Sequence, residues 1–128
     1  MPGGRIILEL AAGLITAGGL FDLLTPRLPA NLARMTGEKE DAQRLVRELL
    51  RALGGALAAI GVATEFLVVT SGAHPDLSTL VLILLLVVPA ESINAACMFR
   101  VGSPYYVPAG FVLLTILGVA LCWPHPLR

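Results

Sequence analysis

An acidic and an amide side chain stand one helical turn apart inside a strongly apolar stretch, LLLVVPAESINAACMFR, residues 84–100. Glu91 and Asn94 share one helix face, because residues three or four apart are neighbours on a helix. Pro89 precedes them, and a kink there would free the carbonyl of Leu85 and open space beside Glu91. An ionised carboxyl in hydrocarbon costs about 2.5–3.5 kcal/mol on insertion scales. Glu91 is therefore expected to face a polar interior, to pair with a cation or to carry a proton.

Other polar residues are expected near the depth of Glu91. Asp22, Glu91, Asn94 and Arg51 are expected to form an inner polar cluster. A protonated buried carboxyl can act as a general acid or a proton carrier. In a catalytic interpretation, Glu91 or Asp22 exchanges the proton and Asn94 orients the substrate or a water. Arg51 then stabilises an oxyanion or the charge of a carboxylate. The alternative is a structural ion pair of Glu91 with Arg51 or Arg100.

One face of the second long helix changes from charged to small residues and then to an acid. Its members, spaced by three and four, are Arg47, Arg51, Gly54, Ala58, Gly61 and Glu65. Small residues let membrane helices approach closely, so this face should pack inside the bundle or against another protomer. Glu65 is expected to point inward and to be hydrogen-bonded, with Glu9 in a smaller outer cluster.

The composition predicts a membrane protein. The 128 residues are 56% hydrophobic and 14% charged, with a mean hydropathy of +0.83, whereas soluble domains carry about 25% charged residues. Four segments approach the length of about 20 apolar residues that crosses a bilayer. The predicted fold is an all-α integral membrane four-helix bundle, one transmembrane domain over residues 1–128. Its helices are predicted at about residues 6–24, 43–71, 77–99 and 104–123, with a retained first helix, not a cleaved signal.

The distribution of Lys and Arg predicts the orientation. Six of the nine lie between Arg27 and Arg51, and Arg100 falls in the third connection. Arg5 and Arg128 are on the other side. The more basic side stays in the cytoplasm, so both termini should be outside and the charged first loop cytoplasmic. The expected location is the cell membrane, as a multi-pass protein of a bacterial inner membrane.

Two connections carry signals for helix starts. A short interfacial helix is expected to begin near Pro29, in the sequence LPANLARM. Ser103 should cap the last helix, with Pro104 as its first residue, because a hydroxyl at the cap and a proline in the first turn are typical of helix starts.

The segment Glu48-Leu-Leu-Arg51-Ala-Leu-Gly54-Gly55 opens the membrane part of the second helix, and Arg100 with Gly102 ends the third. The pattern E-x-x-R-A-x-G-G resembles small bacterial four-helix membrane proteins of unknown function, loosely DoxX-like. The resemblance covers most of the chain. It implies the four-helix fold and importance of Glu48, Arg51 and Arg100, and it implies no reaction.

No Ser-His-Asp set, Cys-His pair, phosphate loop or metal motif is present in the sequence, so neither a metal nor a cofactor is expected. The zero net charge gives no indication of nucleic-acid binding. The leading hypothesis is a carboxylate-lined pocket for a lipophilic small molecule. If the protein is an enzyme, cofactor-free acid/base chemistry fits best: an isomerase, a cyclase or an epoxide-opening enzyme. The alternatives are a non-catalytic subunit that docks on a membrane complex or a second copy, and a small proton-coupled transporter using Glu65 and Glu91.

Overall fold

The computed structural model describes residues 2–123, which form five α-helices and no strand. They are α1 (Pro2–Leu24), α2 (Ala30–Thr36), α3 (Glu40–Thr70), α4 (Leu77–Arg100) and α5 (Tyr106–Cys122). The predicted all-helical fold is confirmed. Arg128, which entered the charge count, lies outside the described residues.

Three of these helices, α1, α3 and α4, are long and apolar enough to cross a membrane by length and composition. This is the pattern of a multi-pass membrane protein. The fourth long element, α5, is apolar but has only 17 residues. At 1.5 Å per residue, α3 with its 31 residues is about 46 Å long. It exceeds a bilayer core of about 30 Å.

The four long helices pack as a square. Helix α1 contacts α3 and α5, and α4 contacts α5 and, less extensively, α3. Within residues 2–123, the backbone of α1 does not come close to that of α4, and the backbone of α3 does not come close to that of α5. Helices α1 and α4 therefore stand on one diagonal, and α3 and α5 stand on the other. The apolar core between them is formed by Leu8, Ile15, Val68, Leu80, Ile83, Val87 and Val119.

Glycines bring the backbones of α1 and α3 into close approach. A Cβ placed on Gly54 would lie 2.6 Å from the Leu23 nitrogen and 2.7 Å from the Gly19 carbonyl oxygen. A Cβ on Gly61 would lie 2.6 Å from the nitrogen of Thr16. Only hydrogen fits at these positions. The small-residue face of α3 therefore packs inside the bundle, against α1 of the same chain.

The connections are as predicted for α2 but not for α5. Helix α2 begins next to Pro29 and ends at Thr36, and the Gly37 that follows has a φ of 60°, which suits glycine. Helix α5 begins at Tyr106 and has no side-chain cap, so the predicted start at Pro104 with Ser103 as its cap is wrong. The Ser103 hydroxyl instead accepts a hydrogen bond of 2.7 Å from the Asn31 side chain, which takes it away from the helix end.

Candidate functional site

Glu91 is almost completely buried on the inner face of α4. It is 1% exposed and Asn94 is 7% exposed, and the Asn94 amide donates a hydrogen bond of 3.3 Å to Glu91 Oε2. The buried residues before them on α4 are Leu80, Ile83 and Val87. Because these positions repeat at three and four, the same helical stripe that buries the apolar side chains carries Glu91 and Asn94 inward.

A cavity of about 410 Å³ opens between α1, α4 and α5, and both Glu91 and Asp22 line it. Much of the remaining wall is apolar, including Ile15, Leu57 and Phe111. The structure thus brings together Asp22, Glu91 and Asn94 as predicted.

No basic side chain of the described residues lines this cavity. The ion pairs between residues 2 and 123 are Arg5 with Glu9 and Arg51 with Glu48. Glu91 therefore has no cationic partner in this part of the chain. The alternative of a structural ion pair between Glu91 and Arg51 or Arg100 is wrong for the described residues.

A second cavity of about 290 Å³ lies on the α3 side of the first. The two cavities adjoin, because Asp22, Asn94 and Met98 line both of them. The second cavity is the one that reaches basic residues, namely Arg27 in the first connection and Arg47 on α3. Asp22 lines this cavity together with the two arginines.

Arg51 does not belong to the inner cluster, so the prediction that it lies beside Glu91 is wrong. Its Nη1 donates a 3.2 Å hydrogen bond to Glu48, and it lines neither cavity. Helical side chains lean toward the helix N-terminus, so Arg51 extends away from the depth of Asp22. The α3 residue that meets Asp22 is Gly54, whose added Cβ would lie 2.8 Å from the Asp22 Cβ.

Besides Arg27, Arg47 is a cavity-lining arginine that the sequence reasoning missed. It stands one turn before Arg51 on the same helix face. Its Nε is buried and has no hydrogen-bond partner among the described residues. The sequence offered no signal that separates Arg47 from Arg51, since both lie on the same helix face.

Asn31 is a second residue that sequence reasoning missed. Its side-chain amide donates to the Val101 carbonyl at 3.0 Å and to the Ser103 hydroxyl at 2.7 Å. These bonds tie α2 to the turn between α4 and α5. Pro29 and Leu32 consequently lie over the second cavity as part of its lining. A lone Asn in a seven-residue helix gives no sequence signal for this tether.

Glu65 lies apart from the inner cluster and lines neither cavity. Its Oε2 is buried and has no hydrogen-bond partner among the described residues, so the predicted hydrogen bond is not found there. Glu9 is instead paired with Arg5 at 2.8 Å, and Arg5 also donates to the Gly72 carbonyl at 3.0 Å. That pair joins the start of α1 to the turn after α3.

Pro89 leaves α4 helical and does not serve the Glu91 cavity. It lines a different space of about 680 Å³, an apolar groove between α4 and α5 that includes Leu85 and Trp123. The expected opening beside Glu91 therefore comes from the packing of α1, α4 and α5 and not from the proline.

The described residues contain no group of three or more His, Cys, Asp or Glu that could hold a metal ion. Comparison of the chain with protein-family models, curated proteins and solved structures found no match.

Proposed function

We propose that this chain is a four-span membrane protein that binds a lipophilic small molecule in the two adjoining cavities, with Glu91 and Asp22 facing it. The observation that carries the proposal is a buried carboxyl without a cationic partner among residues 2–123, 1% exposed, in the wall of a 410 Å³ cavity. Small-molecule sites are typically concave, about 300–1,000 Å³ and mostly apolar, with a few convergent polar groups. The cavity has these properties.

Proton transfer without a cofactor is the chemistry that fits these side chains. One carboxyl can donate a proton to the ligand while the other accepts one, as a general acid and base do. Asn94 holds the Glu91 carboxyl in place by its 3.3 Å hydrogen bond. Isomerisation, cyclisation and epoxide opening all need such an exchange, and the apolar walls suit an apolar substrate.

The proposed fourth span is α5. Its 17 residues cover about 26 Å at the helical rise, close to the thickness of the bilayer core. Tyr105 and Tyr106 stand at one end and Trp123 at the other, where amphipathic rings favour the two interfaces. With the basic first connection inside, both ends of the chain are outside, in the cell membrane of a bacterium. The DoxX-like resemblance agrees with this arrangement and stays a prediction.

The two other functions receive less support. A docking subunit would present the small residues Gly54, Ala58 and Gly61, but α1 covers them. A proton-coupled transporter would connect Glu65 with Glu91, but Glu65 lines neither cavity at Glu91.

Native mass spectrometry tests the proposal. The protein is purified from its own membranes in mild detergent as the wild type, as Glu91→Gln and as Glu48→Gln. Glutamine in place of Glu91 keeps the side-chain volume but not the carboxyl, whereas Glu48 lies outside the two cavities. We expect a bound lipophilic mass in the wild type and in Glu48→Gln that is lost in Glu91→Gln. A ligand-free mass in all three, or a stoichiometric protein partner, would contradict the pocket.

A further inference from the structure

The second cavity is lined by an arginine whose buried guanidinium N–H has no acceptor among the described residues; Arg51 Nε is also unpaired, but Arg51 lines neither cavity. Arg47 Nε is shielded from solvent and makes no hydrogen bond with residues 2–123. A buried donor is normally paired, because leaving it unpaired costs free energy. Arg47 also lines the 290 Å³ cavity. A ligand bound in that cavity can therefore supply the missing hydrogen-bond acceptor.

Acids of the described chain do not supply this acceptor. The acids beside Arg47 on the outer surface of α3 are Glu40 and Glu48, and Glu48 is bound to Arg51. Asp22 lines the same cavity, but it forms no ion pair with Arg47 or Arg27 in the described part of the chain. The cationic end of the cavity is therefore open to an external anion.

The rest of the cavity is suited to an apolar chain. Its walls include four aliphatic side chains of α3, Val46, Leu49, Leu50 and Leu53. Beyond them it adjoins the Glu91 cavity through Asp22, Asn94 and Met98. A ligand that fills both spaces has a polar end at the arginines and an apolar body beside the carboxyls.

We infer that the ligand is an amphiphile with an anionic head group, a phosphate or a carboxylate, bound by Arg47 and Arg27. This inference rests on the proposed function and specifies its ligand class. A guanidinium binds either anion through paired N–H donors. The membrane part of α3 is expected to open with the segment that begins at Glu48, so Arg47, the residue before it, lies at the depth of lipid head groups.

The arrangement also determines which part of the ligand meets the acids. Gly54, the α3 residue at the depth of Asp22, lies about 10 Å along the helix from Arg47. The head group is held at that distance, so Glu91 and Asp22 face the apolar body of the ligand and not its head. Proton transfer then takes place on a carbon skeleton remote from the anion.

The test compares three probes of equal chain length: dodecyl phosphate, dodecanoate and dodecanol. Binding of each is titrated by native mass spectrometry, with the full-length protein in a neutral detergent. The variants are Arg47→Gln, Arg47→Lys, Glu91→Gln and Arg34→Gln. Arg34 is an exposed residue of α2 that lines neither cavity, so its substitution removes the same charge from the same side of the protein.

We expect the wild type to bind at least one of the two anions about tenfold more tightly than dodecanol, since charge-assisted hydrogen bonds are the stronger ones. Arg47→Gln should weaken this preference, because only Arg27 then remains to bind the head group, while the protein should still bind dodecanol. Arg47→Lys should keep part of it, which shows that a folded cavity remains, and Arg34→Gln should keep all of it. Comparison of the two anions distinguishes a phosphate from a carboxylate head group.

Three results overturn the inference in different ways. If dodecanol binds as tightly as both anions, and Glu91→Gln weakens its binding, the pocket stands but the anionic head group is wrong. If Arg34→Gln lowers anion affinity as much as Arg47→Gln does, the preference is a general surface charge effect and the assignment to Arg47 is wrong. If no probe binds the wild type, the inference and the proposed pocket are both wrong.

Discussion

At the scale of single residues, Glu91 is buried because it lies on the inward face of α4, and not because a cationic side chain pairs with it. Leu80, Ile83 and Val87 place one stripe of α4 in the core, and Glu91 is the next residue on that stripe. The sequence was sufficient to predict this inward direction, because the spacing of apolar residues is visible in it. That no cation within residues 2–123 pairs with Glu91 was not predictable, because it depends on which helices are neighbours.

Replacing Asn94 by Asp should destabilise the protein, and more so at high pH. The change removes the amide that donates to Glu91 and adds a third carboxyl to a cavity lined by two. Losing a buried hydrogen bond costs about 1–3 kcal/mol. An added carboxyl that is ionised in the unfolded chain increases the cost as the pH rises. Thermal unfolding in detergent at about pH 5 and pH 8 measures both effects.

The control for this prediction is Gln43→Glu, which removes an amide donor at an exposed site bonded to the Gly37 carbonyl at 2.7 Å. It should change stability by less than about 0.5 kcal/mol. Equal unfolding temperatures of Asn94→Asp and the wild type at the higher pH would show that the Asn94 position is open to water.

Asp76, which lies outside the membrane segments, should make the stability of the fold depend on pH. It is the N-cap of α4, accepting hydrogen bonds from the backbone nitrogen of Thr79 at 3.0 Å and from the Thr79 hydroxyl. The Thr79 hydroxyl and then its backbone N–H hold the pKa of Asp76 below its usual 3.8. A carboxyl with a lowered folded-state pKa stabilises the fold above its unfolded value, and this contribution is lost as the pH falls through the folded value.

Asp76→Ala should therefore lower the unfolding temperature at neutral pH, with a difference from the wild type that shrinks below pH 3.8. Asp76→Asn keeps a good cap and should lose only the pH dependence. Thermal scans of the three proteins between about pH 7 and about pH 2.5 check this. A constant difference between Asp76→Ala and the wild type across that range would contradict the assignment of the effect to the carboxylate.

At the scale of elements, the pair of α1 and α3 positions Asp22 in the site. Their backbones meet at Gly19, Gly54 and Gly61, so little rotation between the two helices is allowed. The small residues on α3 were visible in the sequence and predicted close packing. Which helix they face was not visible, since small residues fit any partner helix or a second copy.

Gly61→Ala should destabilise this pair, while Gly13→Ala on α1 should not. The added methyl at Gly61 would lie 2.6 Å from the Thr16 nitrogen and 2.9 Å from the Ala12 carbonyl oxygen, whereas Gly13 has open space. Overpacking costs about 1–3 kcal/mol, and Ala in place of an exposed helical Gly gains about 0.5–1 kcal/mol. Unfolding temperatures of the two variants in the same detergent should shift in opposite directions. A stable Gly61→Ala would show that α1 and α3 separate readily.

Asn31→Ala should release α2 from the turn between α4 and α5. The variant loses the two hydrogen bonds to Val101 and Ser103, each contributing about 1 kcal/mol. Amide exchange in Ala30–Thr36, measured by hydrogen–deuterium mass spectrometry, should rise at least about fivefold. Arg34→Ala on the same helix is the control and should leave exchange unchanged. Equal rates in the two variants would mean that α2 is held by its apolar contacts alone.

At the scale of the whole molecule, composition predicts the helices but not their arrangement. The apolar lengths predicted α1, α3 and α4 within a few residues, and Pro29 predicted the start of α2. The square in which α1 stands opposite α4 places the Asp22 and Glu91 carboxyls across a cavity. Apolar helices can pack in several orders with similar burial, so this order required the structure.

The membrane topology depends on α5, whose 17 residues make it the shortest of the four long helices. If α5 crosses, reporters fused after Arg100 and after Trp123 lie on opposite sides. Green fluorescent protein should fluoresce after Arg100 only, and alkaline phosphatase should be active after Trp123 only, because the first connection carries most of the Lys and Arg. Expression of each fusion is checked by immunoblot. Fluorescence at both positions would show that α5 stays on the cytoplasmic side. The part of the Glu91 cavity wall that α5 forms would then face water. The lipophilic pocket therefore requires that α5 cross.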